Sequence, residues 1–249
     1  MLTSSVPFKM FNFPCGETQI VVSPNQTDPS TWVRFDYEND KEIFQLLILC
    51  DTLKRNGYKL DILHMPYVPY SRQDRVNAEG ECLSIKTFCD LINSIEFKTV
   101  EIIDPHSNVT SALLNNVMVT EQHDVFKEYF KSIKKHYYLV CPDNGAYKKT
   151  NKLASLITNC SITYYTKIRS EDGKVICTNM SDRYLSKSDC YIVDDICDGG
   201  ATFIQIAERL KELDAGKITL MVTHGFFTKG VEVFDGLIDE IYTRKGRLK

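Results

Sequence analysis

The chain has 249 residues, of which 43% are hydrophobic and 25% charged, a composition typical of a folded globular protein with one large or two small domains. Thirty basic and 33 acidic residues leave a formal net charge of −3, so no broad positive field favours nucleic-acid binding. Since apolar runs fall far short of the ~20 residues that a bilayer span needs and the N-terminus lacks a signal-peptide core, we expect a cytoplasmic protein with neither nucleic-acid nor membrane partners.

The predicted elements alternate between short β-branched strands and amphipathic helices. In chain order the pattern predicts a helix over 39–57, a strand over 60–65, a helix over 84–95, strands over 99–103 and 137–141, a helix over 146–156, strands over 161–166 and 190–193, a helix over 201–213 and a strand over 218–222. Such alternation favours mostly parallel sheets with helices on both faces. Ligands bind beyond the carboxyl ends of such strands, so functional residues are expected directly after them.

The strongest local signal is the segment from Tyr191 to Thr202. An apolar strand leads into two adjacent acids, Asp194 and Asp195, and a glycine-containing loop then opens a helix. Backbone N–H groups at the positive end of a helix bind phosphate, and ionised carboxylates accept hydrogen bonds from ribose hydroxyls. The order of these features predicts a sugar-phosphate site. The alternative is a solvated turn that only links the strand to the helix.

Residues 193–202, VDDICDGGAT, are similar to the VDDxxDTxGT loop of the ribose-phosphate pyrophosphokinases. Four further segments resemble that family in the same chain order. The first is the predicted helix of residues 39–57, which contains LLILCDTLKRNG and is similar to the family's first long helix. The other three are Pro66–Arg75, which resembles the family motif PYFPYARQDR, Ile103–His106, which resembles DLH, and Pro142–Gly145, which resembles PDxG. Because five motifs rarely occur in one order by chance, the chain is identified as resembling this family from about Phe13 to its C-terminus.

The resemblance implies an α/β fold of two phosphoribosyltransferase-like (type I) halves, each a parallel sheet with helices on both faces. Residues 1–135 would form the ATP-binding half and residues 136–249 the ribose-phosphate-binding half. The implied reaction moves the β,γ-diphosphate of ATP to the anomeric 1-hydroxyl of a ribose 5-phosphate moiety and releases AMP. Both substrates are highly anionic, so catalysis would rest on positioning and charge neutralisation, with Mg²⁺ as cofactor. The resemblance also implies a homo-oligomer with shared active sites.

The catalytic and metal-binding roles that the resemblance implies fall on residues near strand ends. His106 corresponds to a family histidine near ATP and the metal, and Asp143 corresponds to a metal-site acid. Lys167 and Arg169 correspond to a Lys-x-Arg pair that contacts the transferring phosphates, and a strand places both cations on one side. A structural histidine and a solvated basic pair are the alternatives for these residues.

Two segments of the N-terminal half are similar to the family's ATP-binding motifs. In the first, Arg72 is suited to phosphate, while Gln73 and Asp74 are suited to an adenine edge; the alternative is a capped turn before the next helix. In the second, Phe13 and Glu17 match FxDGE, whose aromatic and acids hold adenine from a neighbouring subunit. The residues that correspond to the ribose-phosphate loop are Asp194, Asp195, Cys197, Asp198, Gly199, Gly200, Ala201 and Thr202.

Departures from the family motifs leave the acceptor open. Cys15 replaces the aspartate of FxDGE, so one adenine contact is weakened or made differently. Gly199 and Ala201 stand where the ribose-phosphate loop has threonine and glycine, which removes a hydroxyl that would grip a terminal 5′-phosphate. The acceptor is therefore ribose 5-phosphate, giving PRPP, or a 5′-extended acceptor such as ADP-ribose, giving ADP-ribose pyrophosphate for NAD⁺ salvage.

Two other functions are compatible with part of the sequence. A PRPP-consuming phosphoribosyltransferase would share the acidic pair and its loop, but it would not require Arg72, His106 or Lys167. A non-catalytic PRPP-synthetase-associated regulatory subunit would keep the architecture but would be expected to lose cations such as Lys167 and Arg169, which are present. Conversion of ATP to AMP without a nucleobase separates the pyrophosphokinase from both.

Overall fold

In a computed structural model of the chain, residues 1–24, 29–169, 175–179 and 184–249 are described, with the backbone alone for 167–169 and 175–179. The chain divides into two compact units, Met1–Thr120 and Glu121–Lys249. The division falls after Thr120, whereas the sequence predicts it after residue 135, because the helix that follows Thr120 packs within the second unit. Among the described helices, none combines the length and the apolar character that a bilayer crossing requires.

The N-terminal unit contains a five-stranded sheet, a separate hairpin and helices. Its elements are β1 (Leu2–Ser4), β2 (Phe8–Asn12), β3 (Thr18–Val22), β4 (Ser30–Phe35), α1 (Asp40–Arg55), β5 (Lys59–His64), α2 (Ser84–Asn93), β6 (Thr99–Ile103), α3 (Asn108–Leu113) and β7 (Val117–Thr120). The sheet order is β1-β4-β5-β6-β7, parallel except for β1, which runs antiparallel to β4. Strands β2 and β3 form the hairpin.

Helix α1 begins and ends where the local sequence predicts. Asn39 is the N-cap residue, and acidic residues in the first turn and basic residues in the last turn complement the helix dipole. Gly57 follows the helix with a φ of +85°, a left-handed conformation that glycine adopts without strain. Leu46, Leu49 and Leu53 recur at helical spacing and are fully buried against the sheet, so core packing holds α1 in place.

The N-terminal sheet brings two loops to one edge. Val33, Leu63 and Val100 lie side by side on paired strands and face the core that α1 and α2 cover. Because β5 and β6 are parallel neighbours, their carboxyl ends meet, and segments 65–83 and 104–107 leave the sheet together. These segments carry Arg72, Gln73, Asp74 and His106, four of the residues expected to bind ATP.

The C-terminal unit is built on a seven-stranded sheet. Its elements are α4 (Gln122–Phe130), β8 (Tyr137–Cys141), α5 (Tyr147–Ala154), β9 (Cys160–Arg169), β10 (Val175–Asn179), β11 (Asp189–Cys197), α6 (Ala201–Glu212), β12 (Ile218–Gly225), a 3₁₀ turn (Glu232–Phe234), β13 (Glu240–Thr243) and β14 (Gly246–Arg247). The order is β10-β9-β8-β11-β12-β13-β14. The five inner strands are parallel, and β10 and β14 are antiparallel at the edges.

Both faces of the central strands β8 and β11 are covered. Val140 and Ile192 belong to an apolar cluster with residues of α6, whereas Leu139 and Val193 belong to a second cluster with residues of α4 and α5. All of β8 is buried, as expected for a strand with helices above and below it. The predicted α/β fold with parallel sheets and helices on both faces is confirmed for this unit.

The observed elements differ from the predicted ones in strand length and in number. Strands β6 and β8 have the predicted bounds, but β11 continues to Cys197 instead of ending at Val193. The extension arises because β11 stays paired with β12 as far as Cys197 and Gly225. Elements that were not predicted are β1, β2, β3, β4, α3, β7, α4, β10, β13 and β14.

Gly200 and Gly199 make a matched pair for testing the loop between β11 and α6. Gly200 has a φ of +80°, and a Cβ there would lie 2.5 Å from Cζ of Phe234. We expect Gly200→Ala to lower the free energy of unfolding by about 2–4 kcal/mol, because left-handed strain adds to overpacking. Gly199→Ala should change it by less than about 1 kcal/mol, because the atoms nearest to a Cβ there belong to the flexible Lys229 side chain and lie 3.5 Å or more away. Urea unfolding followed by circular dichroism measures both, and equal losses would contradict this account.

Candidate active site

The end of β11 and the loop after it form the candidate ribose-phosphate site. Asp194 and Asp195 lie inside β11, which corrects the expectation that they follow the strand, and the strand ends at the buried Cys197. Asp198–Gly200 then lead directly into α6, which begins at Ala201. The first turn of a helix presents backbone N–H donors with a partial positive charge. The eight residues predicted for this site therefore lie within one segment, residues 194–202, that spans a strand end, a loop and a helix start, where an anion is favoured.

Carboxylates crowd at this edge of the sheet. Burial raises the pKa of Asp194 well above the ordinary value of 3.8, and repulsion from Asp195 and Asp143 raises it further. Oδ1 of Asp194 accepts a hydrogen bond from the backbone N–H of Asp195 at 2.9 Å. Asp143 comes close because it follows β8, the parallel neighbour of β11. The site thus concentrates negative charge that a cation or hydroxyl donors would relieve.

Lys149, which the sequence motifs do not single out, lies beside these acids. Its Nζ is 3.6 Å from Oδ2 of Asp195, and only 9% of the Asp195 side chain is exposed. Because the pair is shielded from water, its attraction is stronger than that of a surface pair. The available signal is positional: Lys149 lies in the first turn of α5, and α5 starts soon after β8 ends beside β11.

Asp143 holds its own loop as well as adding charge to the site. Its Oδ1 accepts hydrogen bonds from the backbone N–H groups of Gly145 at 2.8 Å and Ala146 at 3.1 Å. A Cβ at Gly145 would lie 3.1 Å from the same oxygen, which is tight for any larger residue. Asp143 therefore closes the turn that leads from β8 into α5.

The donor chemistry at this edge fits a hard divalent cation. In the described part of the chain, no three His, Cys, Asp or Glu side chains gather as a self-sufficient metal site. Magnesium prefers oxygen ligands, keeps several waters and often binds through one or two carboxylates together with substrate phosphates. Asp143 and Asp194 provide such oxygens, and the repulsion between them favours a bound cation.

The segment after β12 borders the same loop. The backbone N–H of Phe226 donates to the carbonyl of Cys197 at 2.8 Å, and that of Thr228 donates to the carbonyl of Asp198 at 3.2 Å. Oγ1 of Thr228 also donates to Oδ1 of Asp198 at 2.8 Å. Asp198 is thus part of the framework of the loop.

In the N-terminal unit, Asp74 and His106 come together. Asp74 is buried, and Nε of Arg75 lies 3.0 Å from its Oδ1. Burial alone would raise the pKa of Asp74, but hydrogen bonds from Ser107 and Arg75, with the charges of Arg75 and His106, outweigh it and lower the pKa below 3.8. An ionised Asp74 therefore joins the segment after β5 to the loop after β6. Ser107 and Arg75 are partners that the motifs do not reveal.

Arg72 and Gln73 have different surroundings. Arg72 is exposed, while Oε1 of Gln73 accepts a hydrogen bond from Oγ of Ser84 at 2.5 Å. The backbone N–H of Gln73 donates to the carbonyl of Tyr70 at 2.9 Å. Since Ser84 is the first residue of α2, Gln73 has the turn-holding contact that the sequence leaves open as its alternative role.

Phe13 and Glu17 lie at the tip of the β2–β3 hairpin. The backbone N–H of Phe13 donates to the carbonyl of Glu17 at 2.8 Å, and both residues are exposed. The Phe13 ring packs edge-on against Phe11 at 5.5 Å between centroids. Ile20, lower in the hairpin, is buried in the N-terminal core, so the hairpin is anchored at its base and presents aromatic rings at its tip.

Lys167 and Arg169 lie at the carboxyl end of β9, as the sequence predicts. Strand β9 pairs with β8 on one side and with β10 on the other. The side chains of both residues lie outside the described residues, so their catalytic roles stay predictions.

Known proteins match both units. A family model described as the N-terminal domain of ribose phosphate pyrophosphokinase matches residues 3–95, and one described as the phosphoribosyl transferase domain matches residues 115–234. A ribose-phosphate pyrophosphokinase of Thermococcus kodakarensis is 30% identical over 92% of this chain and 81% of its own length. One of Sulfurisphaera tokodaii is 32% identical over 86% of this chain and 75% of its own length. The chain belongs to the ribose-phosphate pyrophosphokinase family.

A solved structure shares the fold. The crystal structure of phosphoribosylpyrophosphate synthetase from Mycobacterium smegmatis matches with a TM-score of 0.81 and 20% identity, over 96% of this chain and 80% of that one. The family resemblance and the fold class are therefore confirmed. The enzyme class expected from the sequence, a ribose-phosphate pyrophosphokinase-type diphosphotransferase, is confirmed with them.

The raised pKa of Asp194 predicts a conflict between stability and function. A carboxyl whose pKa is raised by folding costs the folded state free energy once it ionises, so wild-type stability should fall as the pH rises through that pKa. We expect Asp194→Asn to raise Tm at pH 8 by about 2–4 °C for each kcal/mol of repulsion relieved, and to abolish turnover. Thermal scans at pH 5 and pH 8 in the presence of a chelator measure the Tm, and AMP formation from ATP measures turnover. Glu208→Gln, at an exposed helix residue, is the control, and a lower Tm for Asp194→Asn at pH 8 would contradict the assignment.

Proposed function

We propose that this chain moves the β,γ-diphosphate of ATP to the anomeric hydroxyl of a ribose 5-phosphate moiety and releases AMP. The observation that carries the proposal is the position of two acids, Asp194 and Asp195, near the end of β11, just before the loop that leads into α6. Ionised carboxylates accept hydrogen bonds from the ribose hydroxyls, and the helix start favours the 5′-phosphate. The match of residues 3–95 to a pyrophosphokinase N-terminal domain favours ATP as the other substrate.

Charge neutralisation is the main task in bringing these substrates together. Lys167 and Arg169 at the end of β9 are proposed to hold the transferring phosphates, whose oxygens gain charge as the β-phosphorus is attacked. His106 is proposed to lie near ATP and the metal, and Asp143 to bind Mg²⁺. Bound Mg²⁺ would neutralise phosphate charge and polarise the reacting phosphoryl group.

The adenine is proposed to bind residues from two segments. Arg72, Gln73 and Asp74 lie in the segment after β5, and Phe13 and Glu17 lie at the hairpin tip. The exposure of Phe13, 46%, favours a role for its ring outside its own core. We therefore propose a homo-oligomer in which one subunit lends its hairpin tip to the site of another.

Ribose 5-phosphate is the acceptor that the family favours, and Gly199 favours a second candidate. Without a side chain at position 199, the loop lacks the hydroxyl that the family motif places there to grip a terminal phosphate. Because that grip is missing, an acceptor whose 5′-phosphate carries a further group, as in ADP-ribose, is proposed as the alternative. The product would be ADP-ribose pyrophosphate, an activated intermediate for NAD⁺ salvage.

Product analysis with separate acceptors tests the reaction. Purified protein with ATP and Mg²⁺, without a nucleobase, should form AMP and a diphosphorylated acceptor that mass spectrometry identifies. If AMP forms with ribose 5-phosphate but not with ADP-ribose, the extended acceptor is excluded. If AMP forms with ADP-ribose but not with ribose 5-phosphate, ribose 5-phosphate is excluded. If AMP forms with neither acceptor, the proposed reaction is contradicted. The phosphoribosyltransferase and the non-catalytic subunit then remain as the candidate functions.

Removal of the Lys167 charge tests the phosphate-handling role. Lys167→Ala should lower kcat by about 100-fold or more, the size of loss seen when an electrostatic group of the transition state is removed. Lys135→Ala, at an exposed residue before β8, is the matched control and should leave kcat unchanged. Unchanged AMP formation by Lys167→Ala would refute its role.

A further inference from the structure

The segment that follows β12 supplies a second wall to the proposed ribose-phosphate loop. Phe226 and Thr228 attach it by backbone hydrogen bonds to Cys197 and Asp198, and the Thr228 hydroxyl adds a third bond to the Asp198 carboxylate. The wall is therefore held in register with the loop. The next residue in the wall is Lys229.

The carbon chain of Lys229 lies along the bare backbone of Gly199. A Cβ at Gly199 would meet Cε of Lys229 at 3.5 Å, Cδ at 3.6 Å and Cγ at 3.8 Å. Three successive carbons at nearly equal distance mean that the side chain runs past this position in parallel contact. Gly199 thus leaves its side open to Lys229 rather than leaving a void.

The ammonium group of Lys229 is close to the same place. Nζ is one bond of about 1.5 Å beyond Cε, so it lies within roughly 5 Å of the position that a Cβ of Gly199 would take. Lys229 is exposed, so its ammonium is accessible to a ligand that enters the loop. A cation at this distance is within reach of a phosphate bound at the start of α6.

We propose that Lys229 is a specificity-determining residue that binds the 5′-phosphoryl group of the acceptor. This inference rests on the proposed function, since it needs the loop of residues 198–202 to hold that group. The lysine replaces a neutral hydroxyl donor with a full positive charge, which forms a stronger hydrogen bond to phosphate. Acceptor binding should therefore depend on salt and on the 5′-phosphate.

Substitutions at Lys229 test this role. Lys229→Met keeps the length of the side chain but removes its charge, and Lys229→Arg restores a cation. We expect Lys229→Met to raise the acceptor KM roughly tenfold or more, with kcat within about twofold of wild type, and Lys229→Arg to recover most of the loss. Lys245→Met, at an exposed lysine in the turn between β13 and β14, should leave both constants unchanged.

Calorimetric binding of ribose 5-phosphate separates this inference from the proposed reaction. A Kd that Lys229→Met weakens roughly tenfold would support the inference even if no AMP forms, in which case only the proposed reaction fails. An equal Kd and KM for wild type and Lys229→Met would overturn the inference, whether or not AMP forms. So would an equal effect of Lys245→Met, because the contribution would then come from overall charge.

Discussion

Repulsion among carboxylates at the end of β11 is the constraint on which the C-terminal unit depends. Asp194, Asp195 and Asp143 are brought together by two parallel strands, and isolated carboxylates would separate if the backbone allowed it. The backbone does not allow it, because β8 and β11 are buried on both faces. Lys149 offsets part of the charge, and the remainder is available to a ligand. The rigid sheet therefore holds the three carboxyl groups close together despite their mutual repulsion.

Asp74 and Asp194 show how the environment sets the role of one residue type. Asp74 loses water on burial but gains donors and cations from Arg75 and Ser107, so its pKa falls. Asp194 also loses water, but its neighbours are acids, so its pKa rises. The first carboxylate is satisfied by the protein and serves as an anchor. The second resists ionisation, and such a perturbed pKa is characteristic of functional sites.

The predictable elements are those with strong periodicity. Helices α1 and α6 and strands β6 and β8 follow from apolar spacing, whereas the full length of β11 does not, because Asp194 and Asp195 interrupt its apolar run while backbone pairing with β12 continues. The ribose-phosphate loop is a contiguous motif and was found from sequence. Lys149 reaches Asp195, and Thr228 reaches Asp198, through tertiary packing that no short motif encodes.

The neighbouring glycines of the loop are under opposite restraints. Gly200 is locked by its left-handed backbone and by Phe234 beneath it, while Gly199 has ordinary van der Waals room beside a flexible lysine. A substitution at position 199 can change the groups that contact a ligand without disturbing the fold. At position 200 almost any side chain would clash or strain the backbone. A change of substrate preference could therefore be engineered at position 199, whereas the same substitution at position 200 would cost folding stability.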